Sequence, residues 1–328
     1  MLRTELQRAL FGRGIRFASL NEIDDHHSDH GPNLSCARAW AAAVRDVVDR
    51  RAPRIPVAVL RPPDWTDAWS RSNVSRLVAF GHLFVELSRH RIAVRYKQSV
   101  LGPAWALLQP LALMVIATLV FSKLARMPSD GIPYALLAYS GLLPWTFFSS
   151  AVSSGTTSLT SHASLVTKVA FPREILPATY IVAALVDFVV ASIALVLLCG
   201  WYHVAIGWSI LAVVPVVATL AAFTLAVTLV LSAAQVWIRD VGVALPVVLQ
   251  LLMFASPVLY PLSAVPARFR FLYILNPLAG LVDAFRAAAL GRTFDAIALS
   301  IAVAATVIVL PLAFALFKRT ERTMPDEI

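Results

Sequence analysis

The sequence predicts an all-α polytopic membrane protein with six transmembrane helices, an amphipathic interfacial helix before the first and short re-entrant helices before the last. Three observations carry this. Of 328 residues, 59% are hydrophobic and 14% charged, where soluble domains carry roughly 25% charged and 45–50% apolar residues. Six stretches stay apolar for about 20 residues, the length that crosses a hydrocarbon core of roughly 30 Å at 1.5 Å per residue. The charge is also partitioned: residues 1–97 hold 16 Lys/Arg and 10 Asp/Glu, and residues 98–317 only nine basic and six acidic residues. A net charge of +9 spread this way suits a membrane surface, and no nucleic-acid partner is expected.

Residues 1–56 read as a poorly structured basic leader. No apolar h-region follows its early arginines, so a signal peptide is not expected. Its Asp24–His30 run of Asp and His could bind a metal, but such tracts in a leader are usually incidental, and no metal site is expected. Residues 57–100 form an N-terminal segment. Within it, between Arg76 and Gln98, Leu77, Phe80, Phe84 and Leu87 recur at three- and four-residue spacing, which predicts an amphipathic helix lying in the interface.

The spans are Leu101–Phe121, Tyr134–Val152, Ala178–Trp201, Trp208–Ala234, Val241–Tyr260 and Ala296–Phe317, together a six-span transmembrane domain of residues 101–317 before a short tail, 318–328. Pro246 and Pro257 interrupt the fifth, which membrane helices tolerate when neighbours re-satisfy the freed carbonyls. An even count puts both termini on one side. Arg89, Arg91, Arg95 and Lys97 before the first span, and Lys318, Arg319 and Arg322 after the last, make that side the cytoplasm.

Several residues invite a functional reading. Asp187 is an isolated acid in the third span; it could orient a polar substrate, but bonding a neighbouring helix is the more economical role. In the loop Ser164–Glu174, Leu165, Val166, Val169 and Phe171 need either the interface or a partner protein to cover them. Trp237–Val241 sets Arg239 beside Asp240, an ordinary surface pair when read alone. Pro257–Arg292 is too long and apolar for a simple loop and fits two short helices re-entering the outer leaflet. Tyr134, Tyr139, Trp145, Phe147 and Phe148 crowd the second span, as an interfacial belt or as a surface on which sugar rings stack. No glycine is followed by lysine, so a phosphate-binding loop that would support ATP hydrolysis is missing, and the two cysteines form no evident site.

Six blocks, taken together, resemble the ABC-type polysaccharide and polyol-phosphate export permeases, the membrane subunits of type-2 ABC transporters. They are Arg95–Pro110, Gly141–Phe148, Leu165–Arg173, Arg239–Asp240, Ser256–Pro261 and Leu275–Leu278, in the same order and topological places across about residues 60–320. The resemblance implies a non-catalytic permease of the bacterial inner membrane that exports a lipid-linked glycan such as O-antigen, capsule or teichoic acid. It also implies a homodimer docked on two copies of a cytoplasmic ABC ATPase, so that ATP and Mg would be bound by that partner and no cofactor by this chain. Leu165, Val166, Lys168, Val169, Phe171, Pro172 and Arg173 would form the coupling helix, with Arg239 and Asp240 a second contact. Arg89, Arg91, Arg95, Tyr96 and Lys97 would belong to a gate helix facing membrane lipid and the carrier's head group. Tyr260, Pro261, Asn276 and Pro277 would belong to the outward gate, and the second-span aromatics gain weight as sugar contacts.

The alternative is a type-2 ABC permease for a drug or small lipid. A membrane glycosyltransferase would need acidic metal-binding motifs in a cytoplasmic loop, where only Glu174 and Asp240 stand; a secondary transporter would need a counterpart to Asp187.

Overall fold

The chain divides into a unit of residues 1–58 and a unit of residues 59–328. The computed structural model describes residues 71–328 apart from 98, 125–130, 169–170, 205–206, 262–264, 322–323 and 325–328. The leader, its Asp24–His30 run, Val169 and the side chain of Lys168 lie outside the described residues.

Among the described residues every regular element is helical. Helix α1 is Arg71–Tyr96. Helix α2, Ala104–Ala117, continues as a π-helical stretch to Leu124. Helix α3 is Tyr134–Thr156, followed by two short helices, α4 (Ser158–Ser161) and α5 (Ala163–Lys168). Helix α6 is Ile175–Trp201, and α7 is Val213–Trp237 after a 3₁₀ turn at Trp208–Ala212. The set closes with α8 (Asp240–Ala255), α9 (Ala267–Leu275), α10 (Pro277–Leu290) and α11 (Ala296–Glu321).

Among the described residues five helical segments are long and apolar enough to cross a membrane: Ala104–Ser122, Tyr134–Thr156, Ile175–Trp201, Trp208–Trp237 and Ala296–Glu321. The fifth expected span is shorter than its apolar run. Its helix stops at Ala255 because Ser256 precedes a proline and is driven into extended backbone (φ −106°, ψ 148°). At 16 residues α8 is about 24 Å long, less than the hydrocarbon thickness. Length and composition yield a sixth crossing only when α9 and α10, bent by 90° at Asn276, are taken as one.

Burial orders the bundle. Helix α3 sits at its centre, 83% of its apolar window enclosed, against 17–39% for the other four spans. It packs on α2, α6, α7 and α10. The exposed faces of α2, α6, α8 and α11 carry large aliphatic side chains, as lipid contact requires. Helix α10, expected as one of the re-entrant pair, is also a core element: Leu278, Leu281, Val282, Phe285 and Leu290 join the main hydrophobic cluster. Asn276 caps it, its Oδ1 accepting from the Leu278 amide at 3.1 Å, with proline at the first helical position and Gly291 (φ 67°) ending it.

A second apolar cluster closes the end of the bundle where the described chain begins and ends. Phe80 of α1 meets Leu159, Val166, Phe171, Ile175 and Leu176, together with Leu229, Ala233 and Val236 of α7 and Phe317 and Met324.

Candidate functional site

Three groups of residues carry polar chemistry in this apolar body. The first joins α1 to α6. Asp187 accepts a hydrogen bond from the Tyr96 hydroxyl and pairs with Arg95 at 2.7 Å, so the isolated acid does bond a neighbouring helix. Burial, then the bond to Asp187, pushes the Tyr96 phenol up to about 12, which keeps it protonated and donating. Arg95 also reaches Ser150 Oγ at 3.3 Å. One helical turn earlier, Arg91 stacks 3.6 Å from the centroid of Tyr180 and contacts His162 Nε2 at 3.3 Å. The other ring nitrogen of His162 lies 3.0 Å from the Ser158 carbonyl, which fixes it as the N–H donor and leaves Nε2 to accept from Arg91. Burial holds this imidazole below its usual range, favouring the neutral ring that arrangement needs. Arg89 and Lys97 stay exposed.

Above Arg95 and Asp187 opens a cavity of about 400 Å³ between α2, α3, α6 and α8. Its α3 wall is a row of hydroxyls, Thr146, Ser149, Ser150 and Ser153, and the facing wall holds Trp105 and Gln109. Hydroxyl, amide and one indole around a small ion pair form a surface that bonds polyhydroxylated rings while stacking on an apolar face. Trp105 is 57% exposed.

The second-span aromatics lie elsewhere. Tyr134, Tyr139, Trp145, Phe147 and Phe148 are each at most 5% exposed. Tyr139 donates to the Ala191 carbonyl at 2.8 Å, Phe147 meets Phe188 edge-on at 5.8 Å between centroids, and Phe148 stacks on Phe223 at 6.2 Å. Only Phe147 reaches the cavity wall.

The second group surrounds the 163–174 segment. Val166 and Phe171 are buried in the chain's own second apolar cluster, and Leu165 packs on its edge. Intramolecular cover, a third possibility beside the interface and a partner protein, therefore explains the apolar residues of this loop. Among the described residues of α4 and α5, Ser161, Ser164 and Thr167 face outward. Pro172 is buried, and Arg173 donates to the Glu321 carbonyl while its amide bonds Glu321 Oε1 at 3.1 Å. Burial draws the Arg173 guanidinium down from its usual value, and Glu321 opposes the shift. Arg239 and Asp240 are exposed at the α7–α8 turn beside Trp237 and Ile238, 47% and 58% exposed.

The third group grips the Ser256–Pro261 segment at the far end. Tyr134 donates to the Leu259 carbonyl at 2.5 Å. Arg286, buried on α10, donates to the carbonyls of Pro257 (3.1 Å) and Val258 (2.9 Å) and pairs with Asp283. Asn276 Nδ2 bonds Ser256 Oγ at 3.0 Å, and Tyr260 bonds Tyr273 at 2.9 Å. Pro261 is buried, while Asn276 and Pro277 are half-buried. Gly141 makes the fit possible, since a Cβ there would run into the Val258 carbonyl and the Arg286 guanidinium. From sequence Arg286 reads only as a loop charge; its signal is a lone arginine inside the apolar run Leu278–Leu290.

Among the described residues no three His, Cys, Asp or Glu side chains gather as a metal site. The comparison that decides the family is the match of residues 82–290 to the model described as "ABC-2 type transporter". The chain belongs to that family. This ABC-2 chain is also similar to the O-antigen export system permease protein RfbA of Myxococcus xanthus, 33% identical over 217 residues, covering 65% of this chain and 82% of the relative. An RfbA of Klebsiella pneumoniae is 26% identical over 63% of this chain and 80% of its own length. The polysialic acid transport protein KpsM of Escherichia coli is 23% identical over 71% and 91%. The matched range takes in Arg95, Arg173, Asp187, Arg239 and Arg286, so each of the three polar groups has residues within it.

Proposed function

We propose that this ABC-2 chain is the membrane subunit of an ATP-driven exporter that passes a lipid-linked surface polysaccharide across the bacterial inner membrane. The observation that carries the reading is the 33% identity to an O-antigen export permease over 82% of that relative. The polysialic acid transport protein among its relatives supports a glycan over a drug or small lipid.

Two copies of the chain form the conduit, and both termini face the cytoplasm. Helix α8 with the turns of the 256–261 segment completes a sixth crossing. A separate ATPase binds ATP and Mg and docks against the outward residues of α4 and α5, with Trp237, Ile238, Arg239 and Asp240 as a smaller contact. Closure of the ATPase pair pushes on residues 163–174. Because α1 is bonded to α6 through Arg95, Tyr96 and Asp187 and to His162 after α4 through Arg91, the push reaches the mouth of the cavity. The hydroxyl row of α3 and Trp105 meet the sugar there, and release of Ser256–Pro261 from Tyr134 and Arg286 opens the far side.

Co-purification tests the reading. A tagged chain extracted in mild detergent should carry the ATPase encoded beside it, in equal numbers of subunits, and the complex should hydrolyse ATP. A chain that purifies without an ATPase under conditions that keep its own dimer would refute it.

A further inference from the structure

Helix α11 is anchored at both ends by polar bonds to other elements. At its C-terminal end Lys318 Nζ lies 2.7 Å from Glu174 Oε2 and 2.8 Å from Glu321 Oε2. Glu321 returns to the same turn, accepting from the Arg173 amide at 3.1 Å while its carbonyl takes the Arg173 guanidinium. The Lys318, Glu174 and Glu321 side chains are only 16–23% exposed. Phe317 and Met324, both fully buried, press against the cluster that holds Val166 and Phe171. Isolated surface ion pairs position little. Here one ammonium is shared by two carboxylates, Glu321 is bonded twice more to Arg173 through a backbone group of one residue or the other, and the surroundings are apolar, which makes the geometry stiff.

At the opposite end Asp295 caps α11, its Oδ1 accepting from the amides of Ile297 (3.1 Å) and Ala298 (3.2 Å), and its Oδ2 lies 3.6 Å from Arg270 of α9. The contact with α10 is backbone on backbone: a Cβ on Gly280 would stand 2.6 Å from the Ala298 carbonyl oxygen and 3.2 Å from the Ala302 methyl. Twenty-six helical residues, with Pro311 among them, make a helix of about 39 Å between these two anchorages.

We propose that Arg173, Glu174, Lys318 and Glu321 form an ionic clamp that fixes the coupling segment to the last helix, so that α11 moves with it as one body and carries the ATPase stroke to α9 and α10 at the far side. Lys318 and Glu321 are positioning residues in this device. The inference rests on the coupling role assigned above to residues 163–174 and adds the route by which the push leaves them.

The test uses the whole complex with its ATPase, reconstituted in vesicles of host inner-membrane lipid extract that carries the lipid-linked polymer. The readouts are polymer translocated and ATP hydrolysed. Lys318→Gln should lower polymer moved per ATP about tenfold, a coupling loss within the usual 5–150-fold range, while Lys318→Arg retains it. In a Cys36→Ser/Cys199→Ala background, Glu174→Cys/Lys318→Cys should be poorly coupled when reduced and recover when oxidised, because the disulfide replaces the ion pair. Recovery on oxidation also shows that the variant is folded. A disulfide that stops export until it is reduced, or wild-type coupling in the reduced form or in Lys318→Gln, would each overturn the clamp. Failure of the unmodified chain to bind the ATPase would instead remove the coupling role on which it rests.

Discussion

Asp187 illustrates how much one side chain decides. A lone carboxylate in a span costs at least ~2.5–3.5 kcal/mol at the helix centre unless it is paired, and here Arg95 and Tyr96 supply the pairing. The acid is visible in the sequence and its partners are not, because they lie 91 and 92 residues away on a helix that could have faced lipid or water. Asp187→Asn keeps an acceptor for Tyr96 and loses only the charge, so the purified chain should keep most of its thermal stability. Asp187→Ala strands both the Tyr96 hydroxyl and the Arg95 charge and should lose about 1–3 kcal/mol. Thermal melts of the two variants in detergent measure the difference. Equal melting would mean that the pair does not hold α1 to the body.

The helices themselves are the legible part, since an uninterrupted apolar run of 20 residues has few other uses. Which run sits at the centre is less so. The most enclosed span, α3, is the one richest in Ser, Thr and aromatic residues, because a helix shielded from lipid by its neighbours has no need of an aliphatic surface. Its rings therefore form core, and its hydroxyls at positions 146, 149, 150 and 153 share one face toward the cavity, a three- and four-residue spacing that the aromatics around it obscure. The 163–174 segment shows the opposite confusion. Its apolar residues look partner-seeking in sequence but are held by Phe80, Phe317 and Met324 from distant parts of the chain. The two roles separate by mutation. Phe171→Ala should destabilise the isolated permease by about 3–5 kcal/mol. Thr167→Arg, on the exposed side, should alter its stability by less than about 0.5 kcal/mol and yet reduce ATPase co-purification. Retained association in Thr167→Arg would move the docking surface to the α7–α8 turn.

At the scale of the molecule, the polar bonds between described elements gather in a few places: the α1–α6 junction with its cavity, the turn where residues 171–174 meet the last helix, the clasp around Ser256–Pro261, and the Asp295–Arg270 pair. Aliphatic packing fills the space between them, and interiors this closely packed transmit strain. In the proposed exporter a chain built in this way supplies the path, and the docked ATPase supplies the energy. The most direct test is to deplete the chain in its host while leaving the polymer's synthesis intact. The account predicts that the lipid-linked polysaccharide disappears from the cell surface, accumulates on the cytoplasmic leaflet, and returns to the surface only when the chain is restored together with a hydrolysis-competent ATPase. Undiminished surface polymer after depletion would contradict it.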